Sequence, residues 1–188
     1  MVFNNDYTPF AVICYNEPMH IVLTGEKQVG KSTLVSAVLE RTALRYCGLR
    51  SISVFDGNHD RNVYLIPADK DNDTPAALAG VCSNRHITER HPEVFDDTGC
   101  RLLESDPDAQ LIVIDEIGNM ERDAALYSDR ILSLLGRKDI RVLAVVQNMA
   151  STPLADAIRN HPDVKLIEVT KENREELVEV VLKLLEAD

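Results

Sequence analysis

The chain has 188 residues, of which 45% are hydrophobic and 27% charged, and it carries a formal net charge of −11. That length suits one α/β domain with a buried core, and the acidic balance argues against general nucleic-acid binding, because backbone phosphates are repelled outside a local basic cleft. No run of about 18 apolar residues exists to cross a membrane, and the start, with Asp6 and Pro9 and no basic residue before its short apolar run, does not read as a secretory leader; a cytoplasmic protein is expected.

Residues 1–18 read as an N-terminal extension, with 10–15 either a short edge strand or coil. Residues 19–188 read as a single domain. It opens on MHIVLTGEKQVGKST, where an apolar run over 20–23 meets a turn and then Gly25-Glu26-Lys27-Gln28-Val29-Gly30-Lys31-Ser32. This G-x-x-x-x-G-K-S pattern between a strand and a helix is a phosphate-binding loop. The two glycines let consecutive N–H groups turn toward an anion, and the helix beginning near Lys31 adds its positive end. Lys31 can reach the β- and γ-phosphates and the Ser32 hydroxyl can ligate Mg²⁺. The Lys27 side chain is expected to point outward into solvent.

Leu34, Val35, Val38, Leu39 and Leu44 recur at helical spacing, with Gly48 as the expected C-cap. The β-rich runs 51–55 and 62–66 flank Asp56-Gly57 as a hairpin. Thr74-Pro75 reads as the opening of a short helix through Ala79. Residues 56–62 and 67–91 read as loops of the kind that form a substrate lid, so that 48–91 as a whole is a hairpin and lid insertion. His59, Arg61, Arg85, His86 and Arg90 fall in these loops, and each reads first as a solvated charge. A helix is expected over 92–105, a buried strand over 110–116, a helix over 120–135 ended by Gly136, and a strand over 141–146. A short helix over 153–160, a strand over 164–169 and a helix over 171–185 capped by Thr170 complete the chain. Strands alternating with helices argue a parallel, doubly wound sheet. Cys14, Cys47, Cys82 and Cys100 show no C-x-x-C or C-x-x-H spacing and read as small core hydrophobes. A zinc site from Cys82, Cys100, His86 and His91 is not predicted on that spacing.

The strand LIVIDE delivers Asp115 at its carboxyl end, where ligands sit in open α/β sheets and where a carboxylate holds Mg²⁺. Glu116 follows directly and can orient or deprotonate a water in line with a γ-phosphate. Gln147 and Asn148 end the next strand at the same edge, either sensing the γ-phosphate or serving as loop polarity. Arg122, Arg159, Arg174, Arg61 and Arg85 are all candidates for stabilising transition-state charge, and the sequence does not choose among them. No Asn-Lys-x-Asp string is present, which argues against a dedicated Ras-type GTPase.

LIVIDEIGNME over 111–121, GEKQVGKST, EVFDDTGCRLL over 93–103 and VTKENREEL over 169–177 together resemble the THEP1-type nucleoside-triphosphatase family, from about Met19 to the C-terminus. The resemblance implies a P-loop NTPase fold, three-layer α/β/α with a mainly parallel, RecA-like sheet. It implies slow Mg²⁺-dependent hydrolysis of nucleoside triphosphates with loose base selectivity. It carries over Lys31, Ser32 and Thr33 to phosphate and Mg²⁺, Asp115 and Glu116 to metal and water, and Asn173 and Arg174 to the base or a closing loop. Asn119 stands where the family commonly has Lys, the middle segment over 48–90 departs from the family's arginine- and glycine-rich pattern, and 1–18 is extra.

Three readings result: an NTP hydrolase, which Glu116 beside Asp115 favours; a P-loop kinase passing the γ-phosphate to a small acceptor; and a nucleotide-dependent accessory protein with slow hydrolysis and a protein partner. A nucleoside triphosphate is the expected ligand in all three.

Overall fold

A computed structural model describes residues 20–57, 60–70, 77–84 and 86–187. β1 (His20–Thr24) is buried at every position. It leads through the glycine-rich loop into α1 (Lys31–Leu39), then β2 (Tyr46–Phe55), β3 (Asp60–Pro67), β4 (Ala77–Ser83) and β5 (His86–Arg90). A helical stretch follows in three pieces, α2 (Pro92–Val94), a π-helical turn (Phe95–Gly99) and α3 (Cys100–Leu103). β6 (Leu111–Ile117), α4 (Ala125–Leu135), β7 (Arg141–Val146), α5 (Pro153–Arg159), β8 (Val164–Glu168) and α6 (Arg174–Glu186) complete the order.

The described strands form one sheet in the order β5-β4-β3-β2-β6-β7-β1-β8. From β2 through β6, β7 and β1 to β8 every pairing is parallel; β3, β4 and β5 extend the sheet antiparallel beyond β2. Alternation along the central strands divides the core between the two faces. Leu111 and Val113 pack with Leu34, Val35 and Val181 under α1 and α6, while Ile112 and Ile114 pack with Phe95, Tyr127 and Ile131 on the other side. The sheet thus lies between two helical layers, which is the expected three-layer, mainly parallel α/β fold. β7 separates β1 from β6, and the carboxyl ends of all three strands meet at one edge.

Several elements differ from the sequence reading. The helix after the loop stops at Leu39 rather than continuing toward Gly48, and Leu44 follows a turn in which Thr42 Oγ1 accepts from the Leu44 N–H at 3.2 Å. Gly48 is no helix cap. It lies inside β2 at φ +125°, where a Cβ would sit 2.0 Å from the Val113 carbonyl oxygen, so glycine is required by the approach of two backbones. The expected hairpin forms and is longer than predicted, with Ser53 opposite Val63 and Phe55 opposite Arg61. The segment read as loops over 67–91 holds two strands, and Ala77 and Ala79, assigned to a short helix, lie in β4. The helix expected from 120 begins at Ala125, because Glu121 turns inward and its carboxylate accepts from the Gly118 N–H. The last helix begins at Arg174 with Asn173, not Thr170, at its N-cap. Thr170 Oγ1 still accepts from the N–H groups of Glu172 and Asn173, while Asn173 Oδ1 accepts from the Thr170 N–H at 2.8 Å. The strand expected over 10–15, Thr74-Pro75, Cys14, His59 and Arg85 lie outside the described residues.

Candidate active site

The loop between β1 and α1 is built by backbone geometry that only its own residues allow. Gly25 has φ +136°, and a Cβ there would lie 2.3 Å from the Val169 carbonyl oxygen. Gln28 at φ +64° and Gly30 at φ +106° complete the turn, and Val29 is buried beneath it. Lys31 is buried, and its Nζ donates to the carbonyl oxygens of Gly25 (3.0 Å) and Glu26 (2.7 Å). With those carbonyls engaged from beneath, the loop's N–H groups and the first turn of α1 are what remains for an anion. Glu26, Lys27 and Gln28 are exposed, but Lys27, expected to point away into solvent, lines with Gln28, Ser32 and Thr33 a cleft of about 510 Å³ that also reaches Glu116 and Gln147.

The tip of β6 meets this loop directly, since Ser32 Oγ donates to Asp115 Oδ1 at 3.2 Å. Asp115 is buried. Burial, reinforced by the charge of Glu116, pushes its carboxyl up to about 6 against the pull of the Ser32 hydrogen bond and the charges of Arg50 and Lys31. A buried carboxylate beside a hydroxyl is a pair of hard oxygen donors of the kind a magnesium ion takes, and it gains most from a cation. The residues present therefore fit magnesium. Among the described residues no three His, Cys, Asp or Glu side chains gather into a metal-holding cluster, and Cys82, Cys100, His86 and His91 form none.

Glu116 is set apart from Asp115 by a register shift in the β6–β7 ladder, where Asp115 pairs with Val145 and Ile117 with Val146. Such an irregularity re-aims a side chain at a sheet edge. Glu116 Oε2 accepts from Gln147 Nε2 at 3.1 Å, so Gln147 belongs to the site, whereas Asn148 is exposed. Gly118 packs against Gln147 closely enough that a Cβ would lie 2.4 Å from its Cδ. Beneath this turn is Glu121, 2% exposed, a residue whose place the sequence reading missed. Burial pushes Glu121 up to about 7, opposed by its own and the Gly118 N–H groups and reinforced by Glu116. The visible signal was a carboxylate three residues after a glycine at a strand end.

Arg174 Nη1 donates to the Val29 carbonyl at 3.4 Å and so braces the loop, whereas Asn173 Nδ2 donates to the Glu168 carbonyl at 3.0 Å, within the β8–α6 turn. Arg159 donates to the carbonyls of Ala150, Gln147 and Asn148. Arg122 donates to Asn119 Oδ1 at 3.2 Å, and Arg90 to the Asn119 carbonyl at 3.0 Å. Arg90, Arg122 and the exposed His86 line a second cavity of about 630 Å³ that adjoins the first at Glu116 and Gln147.

The family model described as NTPase matches residues 20–182. A nucleoside-triphosphatase THEP1 of Aquifex aeolicus is 28% identical, with 89% of this chain and 99% of that protein covered. A human cancer-related nucleoside-triphosphatase is 29% identical over 85% of this chain and 92% of its own length. The crystal structure of the Aquifex protein superposes with a TM-score of 0.73, and the solution structure of a human cancer-related nucleoside triphosphatase, 25% identical and covering 90% of this chain and 98% of that one, with 0.67. By sequence and by fold, the chain belongs to the NTPase family of P-loop proteins.

Proposed function

We propose that this chain is a Mg²⁺-dependent nucleoside-triphosphatase that hydrolyses ATP, GTP and related triphosphates to the diphosphate and phosphate. The observation that carries the reading is the contact of Ser32 Oγ with Asp115 Oδ1, which joins the anion-binding loop to the acidic strand tip. In this account the backbone of Gly25, Glu26, Lys27, Gln28, Val29 and Gly30 cradles the phosphates, with Thr33 beside them at the start of α1. Lys31 releases the loop carbonyls to contact the β- and γ-phosphates. Ser32 and Asp115 would hold the magnesium ion, which would supply charge neutralisation at the phosphate oxygens. Glu116, oriented by Gln147, takes a proton from water as the water oxygen bonds to the γ-phosphorus and the bridging oxygen leaves with the diphosphate. Asn173 and Arg174 support the nucleotide side of the loop.

The direct test is phosphate release from Mg·ATP and Mg·GTP with no acceptor present. The account expects turnover by the wild type and its loss, with weakened triphosphate binding, in Lys31→Ala; unchanged turnover in that variant contradicts the loop assignment. A second reading, phosphoryl transfer to a small acceptor, draws on one observation, the cavity of about 630 Å³ beside Glu116. Diphosphate formation that appears only when an acceptor is added favours it over hydrolysis.

A further inference from the structure

The chain has thirteen arginines, and twelve of them fall among the described residues. Of these twelve, eleven are engaged by a hydrogen bond or an ion pair. Arg159 is spent on three carbonyls of the segment after β7, Arg174 on Val29, Arg122 and Arg90 on Asn119, Arg50 on the Lys70 carbonyl. The others sit in surface ion pairs or on a chain end, away from the loop. Arg61 alone has no such partner among the described residues.

Its position gives that isolation a meaning. In the antiparallel extension Arg61 pairs with Phe55 on β2 and with Cys82 on β4, so its cross-strand neighbours offer no carboxylate. The same face carries Ser53, and it looks across the cleft at the phosphate-binding loop: Arg61 lines the cleft of about 510 Å³ together with Lys31, Ser32, Glu116 and Gln147. Lys27, also without a hydrogen bond or ion pair among the described residues, lines it from the loop side. Both cations act on the Cys82 thiol, whose value burial raises and they lower. Two unpaired cations facing one cleft, in a chain of net charge −11, are complementary to a polyanion that enters between them.

We propose that Arg61 is the arginine that stabilises charge on the γ-phosphate during hydrolysis, supplied in cis by the antiparallel extension. The assignment rests on the hydrolase reading above and adds to it the group that sequence alone left open among five candidates. The bonds made and broken are unchanged; the guanidinium donates hydrogen bonds to phosphoryl oxygens as charge develops there. A planar fork suits that task better than a point charge.

The test uses the whole protein with Mg²⁺ and compares wild type, Arg61→Ala, Arg61→Lys and Arg122→Ala. Phosphate release, binding of a fluorescent nucleoside diphosphate, and tightening of that binding by aluminium fluoride are measured side by side. Arg61→Ala is expected to lose about 10³-fold in kcat, to keep diphosphate binding, and to lose the fluoride-dependent tightening. Arg61→Lys should recover only part of the loss, and Arg122→Ala should keep both signals. An Arg61→Ala variant within tenfold of wild type, or one that loses diphosphate binding in parallel with turnover, overturns the assignment. Wild-type protein that neither releases phosphate nor responds to aluminium fluoride overturns the hydrolase reading first, and that result is distinguishable because it appears before any substitution is made.

Discussion

The two halves of the sheet are built on opposite terms. In the parallel half β1 is buried throughout, and β6 and β7 are buried except at Glu116 and Arg141. Its Lys31 ammonium is held by backbone carbonyls, and Asp115 by a hydroxyl. In the antiparallel half β5 is exposed at four of five positions, the last three residues of β2 are exposed, and the arginine facing the cleft has no partner among the described residues. The lesson is a division of labour. The parallel half carries most of the buried core and fixes the phosphate loop, while the antiparallel half buries Leu65, Ile66 and Ala79 near the centre and, toward the hairpin tip and β5, supplies polar groups to the open side of the cleft.

The contrast is most exposed to failure at Ile114. It is fully buried between the sheet and Phe95, Tyr127 and Ile131, so Ile114→Ala should cost about 2–5 kcal/mol in chemical denaturation. A cost below about 1 kcal/mol would erase the distinction between the halves.

Glu121, beneath the Gly118 turn where the halves meet, gives a test with a sign. Its carboxyl rises from 4.5 unfolded to about 7 folded, so the folded state holds the proton more tightly. Its contribution is therefore fully present below pH 4.5 and is lost as the pH rises through 7. The loss amounts to about 3 kcal/mol if the whole shift is realised. Glu121→Gln should remove that slope, giving a variant whose thermal stability relative to wild type improves from pH 5 to pH 8. A constant difference across that range contradicts the burial argument.

The smallest effect belongs to the antiparallel half itself. Phe55 is 59% exposed, and Phe55→Ser should change global stability by no more than about 0.5 kcal/mol. A larger loss would mean that the exposed tip of the β2–β3 hairpin is part of the cooperative core.

The parallel half was largely legible in the sequence because its signals are local. A G-x-x-x-x-G-K-S string can be read without knowing its neighbours, and so can a continuous apolar run ending in Asp115-Glu116. The antiparallel half was legible only where a turn announced it, at Asp56-Gly57. β4 is a run of small residues, ALAGVCS, with little β-branching, and β5 is HITER; neither carries a strong strand signal of its own, and both are strands because each pairs antiparallel with the strand before it. Gly48 shows the same limit, since a glycine after a helical pattern and a glycine pressed against the Val113 carbonyl look identical in one dimension. Glu121 belongs to a recognisable string, yet only the folded turn shows its carboxylate pointing inward at Gly118. Choosing among the arginines required knowing which guanidinium groups were already occupied.

The central claim, that the phosphate loop and the acidic strand tip act on one triphosphate, is tested most directly by Glu116→Gln. The substituted amide can still accept a hydrogen bond from Gln147, so the fold and the loop are left in place. Nucleotide binding and phosphate release should be measured on the same preparation in the presence of Mg²⁺. The account predicts binding close to wild type with turnover lowered about 10²-fold or more, the scale of a lost general base. Turnover at the wild-type rate contradicts it.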